Sequence, residues 1–493
     1  MPDGTILTTA EARHLLRRTG FGAPAAQVAA IVGANRTRGD VVAEMLAAPL
    51  QDFSPGGSSQ AKQHDKWVKF LLKAKFPLQE KLVLFWHDHF ATGVSKVQDY
   101  ATMARQNQLL RRNAKGNFRV LMKAMNTDPA MTEFLDTVRN EKAIPNENYA
   151  RELQELFTLG VKDEAGNDNY TQADIVQIAR AFTGWGRSRK RPAFYSGRHD
   201  FNAEFEGAPE NRGPKDIYKT TGGFGATGGR FAGTGSPYEE GETEIDTIID
   251  IILEHRDTDG KVTVARRLAR RLIEYFAHPD PSLAFIDAVV TLSSFDTSWS
   301  IADLLHQIFV HDDFYLTAQP AGAGTKKSVK WPIDLVVTTL RLLKVKPNGS
   351  NAIIRGGDFQ RVYDHLTNMG QVLFDPPSVF GWDWESAWLS SATLLARYSF
   401  ANDVASSQGQ SLRLEKLLDL TNTSADAGDV VDAITDLLGM TDDLLPGDRA
   451  VLIDYLTDGS PGATVNLTSG LTRDKKLAGV VGLVLQSPAY QVH

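Results

Sequence analysis

The chain has 493 residues, of which 42% are hydrophobic and 23% charged, as is typical of a globular protein with a large core. Its formal net charge of −7 argues against nucleic acid as a partner, since polyanions attract basic surfaces. It has no cysteine, which excludes disulfides, thiolate metal sites and cysteine nucleophiles. No stretch approaches about 18 apolar residues, so we expect no membrane span. The first residues lack the pattern of a signal peptide.

Helix signals dominate the chain from its beginning. Thr8 and Glu11 have the spacing of a capping box, and Thr171 begins a similar motif. Pro77 and Pro129 fit the start of helices, because proline is tolerated in a first turn. In the first half we predict helices over about 12–18, 79–90, 100–112, 128–135, 146–159 and 171–184. In the second half we predict them over about 243–255, 262–276, 281–292, 301–311, 329–343, 359–369, 387–400, 412–420, 430–438, 446–455 and 473–485.

Few runs show the alternation of a β-strand, so the predicted fold class is all-α. Length alone would suggest about two to four domains. However, no internal repeat and no shift in composition marks a linker. We therefore predict one large helical domain over 1–405, with 406–493 as a C-terminal helical extension packed on it.

Residues 187–240 interrupt the helical pattern with many glycine and aromatic residues and little periodicity. Long stretches without regular structure are often functional or mobile. A surface insertion and a lid or wall of a binding site are both compatible with this composition. A phosphate-binding loop is disfavoured, because no Gly-Lys-Ser/Thr sequence ends the stretch.

The segment Trp86-His87-Asp88-His89 places three ionisable groups inside an otherwise apolar helix. Burying such groups costs several kcal/mol unless each one has a partner. Metal ligation, proton transfer and simple hydrogen bonding within the core are the alternatives. On a regular helix, residues i and i+2 are about 200° apart, so the two histidines are not expected to share one metal.

The segment 146–160 is the second candidate. As a regular helix it presents Asn148, Arg151, Glu152 and Glu155 on one face. This face either orients a substrate or metal or forms a ladder of intrahelical salt bridges. We expect one of the two histidines at 87 and 89 to face this surface and the other to support the core.

A third candidate is the pair His199-Asp200, with Lys219 further along, inside the glycine-rich stretch. A loop could bring these groups to a site built by helices, or leave them in solvent. Trp382 lies in an aromatic segment, 380–384, that suits either sugar stacking or core packing. A serine-hydrolase elbow, a His-Glu-x-x-His zinc motif and paired Glu-x-x-His di-iron motifs are all absent from the sequence.

Several motifs, in order, resemble the bacterial family catalogued as domain of unknown function 1800. They span most of the chain: 14–22, 85–90, 146–160, 170–172, 181–185, 199–200, Lys219, 369–371 and 381–382. The resemblance implies a bacterial, often exported protein, which favours a periplasmic or secreted location. It also implies a sulfatase-like exported partner encoded nearby. It implies no particular reaction. Phe157 stands where many relatives carry histidine, which weakens a metal site that needs that ligand.

Two functions follow as hypotheses. The first is an enzyme, a hydrolase or metal-dependent oxidoreductase, that acts on an extracellular polymer or glycan with the help of a divalent metal ion. The second is a non-catalytic binding or assembly protein that works with an exported partner. For the enzyme, the predicted catalytic residues are His87, Asp88, Glu152 and His199. The predicted metal ligands are His87, His89 and His199. The predicted substrate-binding residues are Trp86, Asn148, Arg151, Asp200, Lys219 and Trp382.

Overall fold

The computed structural model describes residues 2–188, 191–200, 215–218, 229–231, 237–318, 327–344, 360–406, 424–441, 443–460, 464–467 and 475–493. These parts of the chain are mainly helical, which confirms the predicted all-α class. The first helices are α1 (Thr9–Thr19), α2 (Ala25–Gly33), α3 (Arg38–Ala47), α4 (Gln60–Lys73), α5 (Pro77–His89), α6 (Val94–Val97), α7 (Tyr100–Asn113), α8 (Phe118–Asn126), α9 (Pro129–Phe134), α10 (Asn148–Glu152) and α11 (Gln172–Ala181).

The remaining helices follow the glycine-rich stretch. They are α12 (Pro237–Leu253), α13 (Thr263–Phe276), α14 (Leu283–Ser293), α15 (Phe295–Ser298), α16 (Ile301–Val310), α17 (Pro332–Leu342), α18 (Gln360–Asn368), α19 (Ser391–Ser406), α20 (Ala427–Leu437), α21 (Pro446–Thr457), α22 (Leu477–Gln486) and α23 (Pro488–Gln491). The capping boxes predicted at Thr8 and Thr171 are both confirmed. The helix predicted over 412–420 lies outside the described residues.

Three short antiparallel strand pairs accompany the helices: β1 (Trp185–Ser188) with β2 (Arg191–Phe194), β3 (Lys215–Ile217) with β4 (Gly229–Phe231), and β5 (Ser424–Asp426) with β6 (Thr464–Asn466). The first two pairs belong to the stretch 187–240 and its edge, where the sequence predicts irregular backbone. Cross-strand contact explains the first pair, because Trp185 faces Phe194 with ring centroids 5.0 Å apart.

Helix α5 is the centre of the fold, and every residue from Leu78 to His89 is buried. A helix buried on all sides must find a partner for each ionisable side chain. Glu80 pairs with Arg111 of α7, and Lys81 pairs with Asp334 of α17 at 2.8 Å. These ion pairs therefore fix the position of α5 between two other helices.

The C-terminal residues return to the same core. Val329 and Val492 form an antiparallel bridge, and the His493 amide donates to the Ser328 carbonyl at 2.9 Å. Helix α22 packs along α19. The division at residue 405 stays a prediction. Within the described residues, no helix is both long enough and apolar enough to cross a bilayer.

We expect Asp334→Ala to destabilise the protein by about 3–5 kcal/mol, because it leaves the buried Lys81 ammonium without its counter-charge. Urea or thermal denaturation measures the loss. Asp432→Ala is the matched control, since it breaks the ion pair of Asp432 with Arg449 on the surface and should cost less than about 1 kcal/mol. Equal effects of the two substitutions would contradict the role given to burial.

Candidate functional site

The two histidines at the end of α5 point to different neighbours. His87 packs against Trp67, Phe374 and Trp382, and its Nε2 accepts the Phe374 amide N–H at 3.0 Å. Burial lowers the pKa of His87 to about 3, so this ring is neutral at physiological pH. His87 therefore has the environment of a hydrogen-bonded core residue.

His89 faces the segment 146–160 instead. Its Nε2 lies 3.1 Å from the Phe157 carbonyl oxygen, a distance at which a neutral ring donates a hydrogen bond. Burial, and then the positive charges of Arg271 and Arg267, lower the pKa of His89 to about 3. As the i, i+2 spacing predicts, the two rings diverge. One ring supports the core, and the other contacts the second candidate segment.

Asp88, between the two histidines, anchors the loop at 381–384. Its carboxylate accepts the Trp382 amide at 2.8 Å and the Trp384 indole N–H at 3.3 Å. Burial raises the pKa of Asp88 to about 6, against the opposing effect of the Arg271 charge 3.4 Å away. With its side chain fully buried, Asp88 has the geometry of a positioning residue.

Gly381 allows the loop to approach Asp88 this closely. Its φ is +84°, and a Cβ atom there would lie only 2.3 Å from Asp88 Oδ1. The loop carries Trp384, and the Arg271 guanidinium lies 4.5 Å from the centroid of the Trp384 ring. The carboxylate of Asp88 therefore fixes the positions of the Trp384 indole and the Arg271 guanidinium, which both cover it.

The segment 146–160 does not form the regular helix that the sequence predicts. After α10 the backbone widens into a π-turn over Leu153–Phe157. Two hydrogen bonds explain the change, because the Thr158 hydroxyl donates to the Leu153 carbonyl at 2.5 Å and the Gly160 amide donates to the Gln154 carbonyl at 2.9 Å. Single π-turns in helices are frequent at functional sites.

The polar side chains predicted on one face of this segment have two different environments, one at the surface and one half-buried. Arg151 pairs with Glu147 at 3.1 Å and with Gln172 at 3.0 Å, on the surface, as the salt-bridge alternative predicts. Asn148 is exposed, and its amide N–H donates to the Asn146 side chain. Glu152 is half-buried, and no side chain among the described residues donates a hydrogen bond to its carboxylate.

Glu152 belongs to a group of ionisable side chains that we call the carboxylate cluster: Glu152, Glu155, Glu274, Tyr170, Arg267 and Arg271. Its three carboxylates have no hydrogen-bond or ion-pair partner in the described part of the chain. Burial, and then the negative charge of Glu155, raise the pKa of Glu152. Burial also raises the pKa of Glu274, against the charge of Arg271.

Arg267 of α13 connects this helix to the segment 146–160 within the carboxylate cluster. Its guanidinium donates to the Glu155 backbone carbonyl at 2.9 Å. A Cβ at Gly160 would lie 2.6 Å from the Arg267 Nη1 atom, so glycine makes this approach possible. Burial and the neighbouring charge of Arg271 lower the pKa of Arg267 to about 10. Tyr170 lies beside it, and burial and Glu155 raise the pKa of that phenol to about 12.

His199 and Asp200 belong to a separate buried network. His199 Nδ1 lies 2.7 Å from the Thr183 carbonyl, and its Nε2 lies 3.0 Å from a carboxylate oxygen of Glu244. Asp200 accepts Arg180 Nε at 2.8 Å. These contacts connect residues 199 and 200 to α11 and α12. The two side chains are neither solvated nor in contact with His87 or His89.

The other predicted residues are buried in the core or lie outside the described residues. Trp86 is fully buried and its indole N–H donates to the Ala114 carbonyl at 2.8 Å, while Trp382 packs on His87. Neither ring is open to a substrate in this structure. Lys219 lies outside the described residues. No three histidine or acidic side chains in the described ranges are grouped as metal ligands, so a divalent ion on His87, His89 and His199 stays a prediction.

Three members of this region were not predicted from the sequence: Arg267, Arg271 and Glu274. A signal was present in α13, whose sequence repeats an Arg-Arg pair after four residues, at 266–267 and 270–271. Residues three and four apart share a helix face, so these arginines form one basic surface with Glu274 beside it. The sequence alone does not show which segment of the chain packs against that surface.

Fold and site together define the class: a mainly α-helical protein with a half-buried carboxylate cluster between a π-turn and a basic helix face. The chain matches the family described as a protein of unknown function, DUF1800, over residues 14–492, and it belongs to that family. No curated protein and no solved structure matches it.

We expect Gly381→Ala to destabilise the protein by more than about 2 kcal/mol, since the added methyl group collides with the buried Asp88 carboxylate. Gly260→Ala is the control, because Gly260 has the same φ of +84° but no atom of the described residues lies within 4 Å of the added Cβ. It should cost only the backbone strain of about 1 kcal/mol. Similar losses of unfolding free energy in both variants would contradict the predicted collision with Asp88.

Ionisation of Asp88 should make the native state less stable as the pH rises. The folded pKa of Asp88, about 6, lies above its ordinary value of 3.8, so the folded state holds this proton more tightly. The stabilisation is complete below about pH 4 and is lost as the pH rises through 6. Relative to Asp88→Asn, we expect the wild type to lose about 2–3 kcal/mol between pH 4 and pH 7. A constant difference in urea unfolding free energy would contradict this.

Proposed function

We propose that the protein is a hydrolase that acts on an extracellular glycan and uses the carboxylate cluster for general acid–base catalysis. The observation that carries this proposal is the presence of three half-buried carboxylates that have no side-chain partner among the described residues, two of them with raised pKa values. Structural carboxylates are normally paired when buried, and unpaired ones with shifted pKa values are frequent at catalytic sites.

Glycoside hydrolysis needs a carboxylic acid that protonates the leaving oxygen and a carboxylate that acts as base or nucleophile. Glu152 suits the first role, because burial and the charge of Glu155 keep its proton bound to higher pH. Glu155, three residues away on the π-turn, suits the second role. Glu274, whose carboxyl interacts with the charges of Arg271 and Arg267, is the alternative proton donor.

The surroundings suit a substrate with anionic groups. Arg267 and Arg271 place two guanidinium groups beside the carboxylates, and guanidinium binds sulfate and carboxylate groups well. The resemblance that implies export and a sulfatase-like partner makes sulfated and uronate-containing glycans the first substrates to test. Hydrolysis assisted by a divalent metal, oxidation, and a non-catalytic assembly role are the competing functions.

The test is a reducing-end assay on a panel of neutral, sulfated and uronate-containing polysaccharides. We expect Glu152→Gln and Glu155→Gln to reduce kcat on the active substrate by about 10²–10⁴-fold, the usual contribution of general acid–base catalysis. Glu274→Gln should reduce it to a similar extent only if Glu274 is the proton donor. Glu254→Gln is the control, because Glu254 is exposed just after α12 and is not a member of the carboxylate cluster.

The same assay separates the competing functions. Activity that survives dialysis against EDTA supports catalysis by carboxyl groups alone, whereas loss that is restored by a divalent ion supports metal assistance. Full activity in the Glu152→Gln and Glu155→Gln variants would overturn the assignment. Absence of hydrolysis on the whole panel, together with specific capture of an exported partner, would favour the assembly role.

A further inference from the structure

A second site lies at the other end of α5 from the carboxylate cluster. It is a cleft of about 640 Å³ between the ends of α1, α3, α4 and α17 and the start of α5. This volume falls within the range of about 300–1,000 Å³ that is typical of small-molecule sites. Its apolar wall is formed by Leu16, Phe21, Met45, Leu72, Phe76 and Leu342.

Two cations line the same cleft. Arg341 donates to the Leu71 and Ala74 carbonyls, at 2.7 and 3.1 Å, which fixes its guanidinium at the end of α4. Lys75 is exposed at the edge. In the described structure no acidic side chain pairs with either cation. Glu44 is the acidic residue of the lining, and it is engaged by Arg36 at 2.6 Å.

The charge of the cleft is therefore complementary to an anion, while its walls are complementary to a hydrocarbon. Burial lowers the pKa of Arg341, and no negative charge among the described residues opposes this effect. A guanidinium that is partly desolvated without a counter-charge gains most from an anionic ligand, because Coulomb attraction is stronger away from bulk water.

We propose that this cleft binds a free amphiphilic anion, with an acyl chain against the apolar wall and a carboxylate between Arg341 and Lys75. The site is separate from the carboxylate cluster and does not depend on the proposed hydrolase function. The ligand class follows from one apolar and one cationic surface that meet in a single cleft.

Isothermal titration calorimetry with sodium decanoate, below its micelle concentration, tests the proposal on the full chain. We expect saturable binding with one decanoate per chain, and at least about tenfold weaker binding of decyltrimethylammonium. Lys75→Gln and Arg341→Gln should each weaken decanoate binding about fivefold, the effect of one partly exposed charge pair. Lys73→Gln, an exposed position at the end of α4, two residues before Lys75 and outside the cleft, should leave the Kd unchanged.

A second variant pair tests the apolar wall. Ala47→Trp places an indole in the cleft from an exposed position at the end of α3 and should abolish decanoate binding. Ala43→Trp, one turn earlier on the same helix and exposed, should not. Equal affinity for the cationic amphiphile, or unchanged binding in Ala47→Trp, would overturn the proposal. So would binding to phosphatidylglycerol vesicles without binding to free decanoate, which would assign the surface to a membrane.

Discussion

The structure depends on one constraint: helix α5 is buried on every side and yet carries five ionisable side chains. Each of them must be hydrogen-bonded or ion-paired, because an unpaired buried charge costs several kcal/mol. Glu80 pairs with α7, Lys81 with α17, and Asp88 with the loop at 381–384 and with α13. The polar groups of a single helix therefore determine where four other elements lie around it.

The carboxylate cluster follows from the same constraint. The partners of Asp88 and His89 bring α13 and the π-turn together beside the end of α5. Arg267 of α13 then contacts the backbone of Glu155 in the π-turn, next to Glu152 of α10. Asp88 and His89 therefore shape the site without being open to a substrate. The sequence had instead predicted that the histidines themselves take part in the reaction.

Local signals in the sequence predicted much of the fold. Capping boxes at Thr8 and Thr171 and the proline at 129 marked helix starts that the structure confirms. Helix α2 was not predicted, because it begins after Pro24 without a side-chain cap and is composed mainly of alanine and valine. The strand pairs inside 187–240 depend on contacts across the pair, which composition does not encode.

The candidate site was predictable only in part. The sequence identified Glu152 and the divergence of His87 and His89, because both follow from positions on one helix. The contact of Asp88 with Trp382 joins residues 294 positions apart, and the pairing of α13 with the π-turn joins Arg267 to Glu155 across 112 positions. A single sequence contains no record of such pairings.

The π-turn over 153–157 also determines how the chain tolerates changes of length. A π-turn holds one more residue than an α-helical turn, so deletion of one residue there would let the backbone close into a regular α-helix. Each residue of an α-helix turns by about 100° about the axis, so Glu152 and the chain after the deletion would rotate relative to each other by that angle. If the deleted residue is Leu153 or Gln154, Glu152 and Glu155 become i, i+2 neighbours, about 200° apart, and no longer share a face. A deletion at Leu156 or Phe157 leaves the two glutamates three residues apart on one face. The effect of a change of length therefore depends on which side of Glu155 it falls.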